Sequence, residues 1–427
     1  MSTDTQFPKF RWFVMTTMLI GAIAQGVIMI APSPLIGEVA KYLGKDLGLV
    51  TFTVMGLWTI TVCIGGIIGG VLVDKVGVIK VYLVCGLILI ISAVGIPLAG
   101  KSLPAIVFLR LLGGAGTGPI ISSIVRVAAE WFPSKERGLI SGVQGMSTAL
   151  GISVGFAASP AVFAVNHSWP ETMVFMAIPS VVFIICTIIM ALGPKPPTVM
   201  QINSQKIEHS TDFKRAMKDP TIYLCILYIF LFNWLVQGIN DLTPGYFAIP
   251  SPVGVGFGPT TAGNLMMLFQ MMYMIASLLS GWLNTKVYKG NYRIQIMLAY
   301  LITGLYYFIR FSEVTGTGPN FLLILILLIT ALFLGQGIAT IITYIANSYP
   351  EHITGKVGGV VVGFGLFGGV IGVACGSSAL TVTHTYQLSI IIVTIVTLLG
   401  FVTSFLLKAR PAMVAIKSSL VADEKSS

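Results

Sequence analysis

Arg110 opens the run RLLGGAGTGP inside an apolar stretch at 104–130. A guanidinium in such a place can hold a carboxylate through two parallel hydrogen bonds, which a lysine cannot imitate. An ionisable side chain in hydrocarbon is costly, so it marks a functional position by default. On a helix, Arg110 shares its face with Gly114, Thr117 and Ile121. Arg126, about 160° away around the same axis, shares its own face with Pro119, Ser123 and Glu130. The two arginines therefore cannot both face one cavity. An arginine that faces a cavity can bind an anionic group there, and bracing of neighbouring helices is the alternative. Arg126 and Glu130, at i and i+4, have the spacing of an ion pair.

Two further stripes have the periodicity of polar helix faces. Asn233, Gln237, Asn240 and Asp241 fall at i, i+4, i+7 and i+8, and Gln336, Thr340 and Tyr344 repeat every four residues. Polar groups aligned in hydrocarbon must meet water, ligand or another helix, so each stripe lines a cavity or bonds a neighbour. Gln25 is the one strongly polar residue of the run GAIAQGVIMIAPSP and belongs to the same set, as does Gln270. Asp241 stands near the end of its stretch and is followed by Pro244, a position suited to a gate. The run MMLFQMMYM at Met266–Met274 fits a pliable wall or plain packing. His384 and Arg310 read as interfacial residues. Cys63, Cys85, Cys186, Cys225 and Cys375 sit in apolar stretches without CxxC spacing, so neither disulfides nor metal ligands are expected. No nucleotide-binding motif, zinc spacing or nucleophile–base set is present, so no enzyme and no cofactor are expected.

The elements that carry these residues follow from composition. The chain has 427 residues, 55% hydrophobic and only 9% charged, with a mean hydropathy of +0.92. A water-facing surface cannot be covered at that charge content, because soluble domains carry about 25% charged residues. About 20 apolar residues span a bilayer as a helix. Twelve such stretches occur, at 11–31, 51–73, 80–99, 104–130, 138–165, 171–193, 220–245, 258–284, 292–311, 320–345, 356–380 and 386–408. The fold class is an all-α membrane protein, since backbone groups in lipid must be satisfied within each segment. No cleavage site follows the first stretch, which reads as a retained helix. Of the 25 Lys and Arg, all but Lys41, Lys45, Lys101, Arg110 and Arg310 fall at or beside loops on the side of the two termini. That bias places both termini in the cytoplasm of a cell (inner) membrane. It also accounts for the net charge of +10 without nucleic acid as a partner.

Only 194–219 has the composition of a polar linker, which divides the chain into 1–193 and 220–427. Pro133, Gly138, Gly142 and Gly151 recur 217 residues later as Pro350, Gly355, Gly359 and Gly368. The two halves are thus related six-helix bundles, and glycines at three- and four-residue spacing (Gly138, Gly142, Gly145; Gly355, Gly359, Gly363) are expected to let helices approach closely.

The loop after the second stretch, GGVLVDKVGVIKV, resembles the signature loop of the major facilitator superfamily at Gly70, Asp74, Gly77 and Lys80. Its counterpart GWLNTKVYKG has no acid. RLLGGAGTGP, RVAAEWFPSKERG and the SWP at Ser168–Pro170 are similar to the anion:cation symporters of that superfamily. The resemblance implies a secondary active transporter for a small organic anion, a carboxylate, that works by alternating access, as a monomer, with a proton or another coupling ion. The alternative is efflux of hydrophobic drugs. It implies that the face of Arg110 and Thr117 meets the substrate; the polar faces read above add Gln25, Asn233, Gln237, Gln336, Thr340 and Tyr344, and Asp74, Lys75, Arg126, Glu130 and Asp241 are expected to gate. Two departures remove titratable groups: the first stretch lacks the family's acid–base pair, and Thr117 replaces its glutamate.

Overall fold

The computed structural model describes residues 8–133, 136–195, 213, 216–311, 318–349 and 351–411. Every regular element among them is helical. The membrane helices, in chain order, are α1 (Arg11–Leu43), α2 (Leu47–Val76), α3 (Val78–Val94), α4 (Leu103–Ala128), α5 (Arg137–Asn166) and α6 (Trp169–Leu192). The second half continues with α7 (Pro220–Ala248), α8 (Pro259–Lys286), α9 (Tyr292–Arg310), α10 (Phe321–Ser348), α11 (Glu351–Thr383) and α12 (Gln387–Ser404). All but α3 reach the length needed to span a bilayer by themselves; α3 has 17 residues, and the short helix Ile96–Ala99 prolongs it. Their outer surfaces expose large apolar side chains, such as Ile67 at 65% and Leu192 at 83%, as helices facing lipid do.

Local sequence explains where the helices start, stop and bend. Gly77, at φ 88°, ends α2 and begins α3. Asp46, Asn291 and Asn320 each cap a helix by accepting a backbone N–H three residues on. The regular part of α1 stops at Ile30, because Pro32 and Pro34 supply no amide hydrogen. A 3-10 turn at Ser33–Leu35 and a short helix at Ile36–Leu43 complete that span. Near its start, α2 holds a π turn at Phe52–Gly56. The prolines leave the Ile28 and Ile30 carbonyls without their helical donors, and the π turn lengthens the pairing of α2 to i+5.

The repeat predicted from sequence has a matched physical counterpart at one position. Gly151 of α5 lies against the backbone of Ile23 in α1, and Gly368 of α11 lies against the backbone of Phe230 in α7. A Cβ at either would collide with main chain, which does not yield. Of the glycines expected from sequence to mediate close approach, Gly145, Gly359 and Gly363 face open space, and the surroundings of Gly138, Gly142 and Gly355 lie outside what the structure describes. Glycine spacing alone does not say which face of a helix meets a neighbour.

The chain clusters into two compact units. The first comprises Met1–Ile202 with Ile239–Met271 and Val373–Ser389, so it adds one end of α7, α8 and α11 to the first six helices. The second comprises Asn203–Gly238, Met272–Gly372 and Ile390–Ser427. Most of the predicted 194–219 linker lies outside the described residues.

Candidate functional site

Arg110 is the centre of the first unit's polar chemistry. It is only 1% exposed, and its donors go to backbone carbonyls at the irregular turns of α1 and α2. Nη1 donates to the Ile28 carbonyl at 3.0 Å, and Nη2 to that of Met29 at 2.8 Å. Pro32 cannot donate to Ile28, and Met29 lies in the last turn before the break. Nε donates at 2.7 Å to Val54, inside the π turn of α2. The guanidinium carbon lies 4.2 Å from the centroid of the Trp58 ring, a cation–π arrangement. Gly113 and Gly114, close to Arg110 in sequence, make room for Trp58, whose indole and carbonyl a Cβ there would strike. A guanidinium has five N–H donors, so one on each terminal nitrogen remains beyond these backbone bonds. The Nη2 atom also has the Met55 sulfur at 4.0 Å.

At the end of the first unit opposite the N-terminus, the broken end of α1 meets α7. The Ser33 hydroxyl lies 3.0 Å from the Asn240 carbonyl and 3.3 Å from that of Asp241, sharing its one hydrogen between them. Ser159 of α5 donates to the Ala31 carbonyl beside it. At the same end, the Asp46 carboxylate accepts from the Leu49 amide at 2.9 Å and from the Thr381 hydroxyl of α11 at 2.7 Å. Burial works to raise the Asp46 pKa, but hydrogen bonds from Leu49, Thr381 and Gly48, with the field of His384, outweigh it and hold the carboxyl below its usual value.

Gln25 is 1% exposed, and its amide nitrogen reaches the Thr148 hydroxyl of α5 at 3.4 Å. Across the next interface, Ser153 of α5 donates to the Met267 carbonyl of α8, and Gly263 packs on Phe156. In that antiparallel register Gln270 comes level with residue 150, about 3 Å along the axis from Thr148. The amide oxygens of Gln25 and Gln270 are buried acceptors with no hydrogen-bond partner. Thr117, by contrast, turns its hydroxyl back to the Gly113 carbonyl at 3.1 Å.

The second unit holds the other predicted residues. The Gln336 side-chain oxygen accepts from Tyr288 and from Gln295, each at 3.3 Å, and Gln295 accepts in turn from Asn284 at 2.7 Å. Its amide group donates to the Leu332 carbonyl at 2.9 Å. This is a helix–helix network among α8, α9 and α10. Thr340 bonds the Gln336 carbonyl, and Tyr344 packs edge-on against Tyr292 at 5.4 Å. Asn233 donates to the Ile229 carbonyl one turn back, and Gln237 packs beside Gly369 of α11.

The predicted gating residues at the other end of the first unit form one cluster. Arg126 pairs with Glu130 at 2.5 Å, donates to the Val73 carbonyl at 2.7 Å and reaches Asp74 at 3.4 Å. With Asp74 76% exposed, the last contact is weak. Lys75 is exposed beside it. Asp241 stands apart from this cluster, at the opposite end.

Sequence reasoning did not single out Ser33, Trp58, Thr148, Gln295 or the Asp46–Thr381 contact. The Pro32–Pro34 pair was the available signal for the first, since it marks where carbonyls need outside donors. Trp58 was marked only by the glycines of α4 that make room for it.

Comparison with known proteins agrees with the fold. The profile of the Major Facilitator Superfamily matches residues 13–254 and 245–422. The hexuronate transporter of Bacillus subtilis (strain 168) is 22% identical over 378 residues, covering 85% of this chain and 87% of that one. The probable sulfoacetate transporter SauU of Cupriavidus necator is 25% identical over 388 residues, 85% of each. A solved bacterial homolog of the human lysosomal transporter Spinster superposes with a TM-score of 0.78 at 13% identity, over 93% of this chain and 97% of its own. The chain's twelve apolar helices and a family match along nearly its whole length make it a member of the Major Facilitator Superfamily, a multi-pass, non-enzymatic membrane transporter that resembles the anion:cation symporters.

Proposed function

We propose that this transporter moves a small organic anion, a carboxylate or sulfonate, across the cell's inner membrane by alternating access. The supporting observation is Arg110, a buried guanidinium with one N–H on each terminal nitrogen beyond its backbone bonds. Two relatives matched over 85% of the chain are named for acids, a hexuronate and sulfoacetate. In this reading Arg110 takes the acid group, while Gln25 and Gln270 offer acceptors to the cargo's hydroxyl hydrogens. The halves that rock are 1–193 and 220–427, joined by the 194–219 linker, with both termini cytoplasmic. Arg126, Glu130 and Asp74 then belong to the cytoplasmic gate.

A thermal-shift screen of the purified protein against hexuronates, sulfoacetate, simple dicarboxylates, phosphate and hydrophobic cations tests the reading. A ligand at a hundred times its dissociation constant adds about 2.7 kcal/mol to a folded state that alone binds it. Stabilisation by an organic acid is expected. Stabilisation by hydrophobic cations alone would replace it with drug efflux. A unique cysteine at position 204 should resist impermeant thiol reagents in intact cells, and labelling there would reverse the orientation.

A further inference from the structure

Among the described residues, two charged side chains are buried, Arg110 at 1% exposure and Asp241 at 0%. One is positive and one negative, and both belong to the first compact unit. The broken end of α1 joins them. Its Ile28 and Met29 carbonyls hold the guanidinium, and five residues after Ile28 the Ser33 hydroxyl holds the main chain of Asn240 and Asp241. Backbone carbonyls take three of the five N–H donors of Arg110 but leave its net charge, which is expensive to bury alone. Asp241 is the one buried acid among the described residues, so it is the side chain whose charge can balance that of Arg110.

We propose that Asp241 is the internal counter-anion of Arg110 while the outer face is closed, and that opening this face exchanges Asp241 for the acid group of the cargo. This rests on the anionic cargo proposed above. α7 bears on α1 through the Ser33 contact, so withdrawing the outer end of α7 breaks that contact and carries Asp241 away. The positive charge then lacks its counter-ion until an acid group arrives. Closure returns Asp241 and releases the cargo's hold on Arg110. The run GAIAQGVIMIAPSP holds no acid and Thr117 stands where a glutamate was expected, so in this reading Asp241 on the seventh helix supplies the negative charge.

The test reads the outer gate without ligand. Spin labels on Lys45→Cys and His384→Cys, with the five native cysteines replaced, report the separation of the α1–α2 and α11–α12 loops by double electron–electron resonance. Asp241→Asn is expected to shift the population toward long distances, and Asp241→Glu to restore the short ones. Both variants leave the Arg110–carbonyl bonds intact, so the measurement does not depend on whether Arg110→Gln folds. Where Arg110→Gln does fold, combining it with Asp241→Asn should add nothing to the shift. A distribution unchanged by Asp241→Asn, or a shift that Asp241→Glu fails to reverse, overturns the pairing. The exchange is read by binding galacturonate, sulfoacetate or another acid from the screen: removing the competing carboxylate should tighten it about tenfold in Asp241→Asn. Unchanged or weaker binding overturns the exchange. If Asp241→Asn opens the gate and no acid binds the wild type, the pairing stands and the anionic-cargo reading falls.

Discussion

Arg110 and Trp58 form a single block, with the guanidinium carbon 4.2 Å from the indole centroid and the arginine's donors bonded to carbonyls of α1 and α2. A charged residue that the sequence marks as a ligand anchor therefore also holds two irregular helices in register. In the proposed reading the two roles use different hydrogens of one guanidinium.

Arg110→Lys keeps the charge and loses the fork. A lysine can reach one of the three carbonyls, so the others become buried acceptors without donors, each costing about 1–3 kcal/mol. A marked fall in the thermal midpoint is expected, together with loss of anion binding. Trp58→Ala should destabilise by about 3–5 kcal/mol, as for a buried aromatic. A midpoint unchanged in Arg110→Lys would remove the bracing role.

Gly151→Val and Gly368→Val should be damaging to a similar degree, because each pushes a side chain into the backbone of the helix opposite. Overpacking of this kind costs about 1–3 kcal/mol or more. Gly359→Ala meets open space and should change stability by less than about 0.5 kcal/mol. Thermal midpoints of the three variants decide it. Equal tolerance at all three would show that the two halves do not share this contact.

Gln336→Leu separates bracing from substrate contact. The side chain lies in the Asn284–Gln295–Gln336–Tyr288 network, so its loss leaves buried partners unsatisfied. A lower thermal midpoint with substrate affinity within about threefold is expected, since helix–helix hydrogen bonds in membranes average about 0.6 kcal/mol. A selective loss of affinity would place Gln336 in the cavity instead.

The twelve spans were legible because a run of about 20 apolar residues has few other uses. The irregular turns were less so. Pro32 and Pro34 announce a break in α1, yet nothing in the sequence says that a side chain from α4 will cap it. The polar stripe of α10 was visible, but a stripe facing a cavity and one facing another helix have the same period. Gln336 shows the second arrangement, with partners on α8 and α9. Asp241 was legible as an intramembrane acid near a helix end. Its relation to Arg110 depends on how α1 and α7 meet, which no local pattern encodes.

Asp46 gives the end of the first unit between α1 and α2 an expected pH dependence. Burial works to raise its pKa, but its hydrogen bonds and His384 hold the folded carboxyl below its usual value. A depressed folded pKa adds stability above the unfolded value and loses it as pH falls through the folded one. Wild type should therefore lose stability below about pH 4, the usual aspartate range, more steeply than Asp46→Asn. Thermal midpoints of the two proteins between about pH 3 and pH 6 provide the check. Parallel profiles would mean that the Leu49 and Thr381 contacts do not favour the charged carboxyl.

Anion transport itself is tested most directly by counterflow in proteoliposomes. Vesicles loaded with unlabelled galacturonate or sulfoacetate receive the labelled compound outside, and accumulation is followed with and without competing acids. Saturable accumulation of at least one organic acid is expected, competed by other carboxylates or sulfonates but not by hydrophobic cations, and absent in Arg110→Gln that has folded and inserted. Equal accumulation by wild type and Arg110→Gln, or competition by hydrophobic cations alone, would contradict anion transport anchored on Arg110.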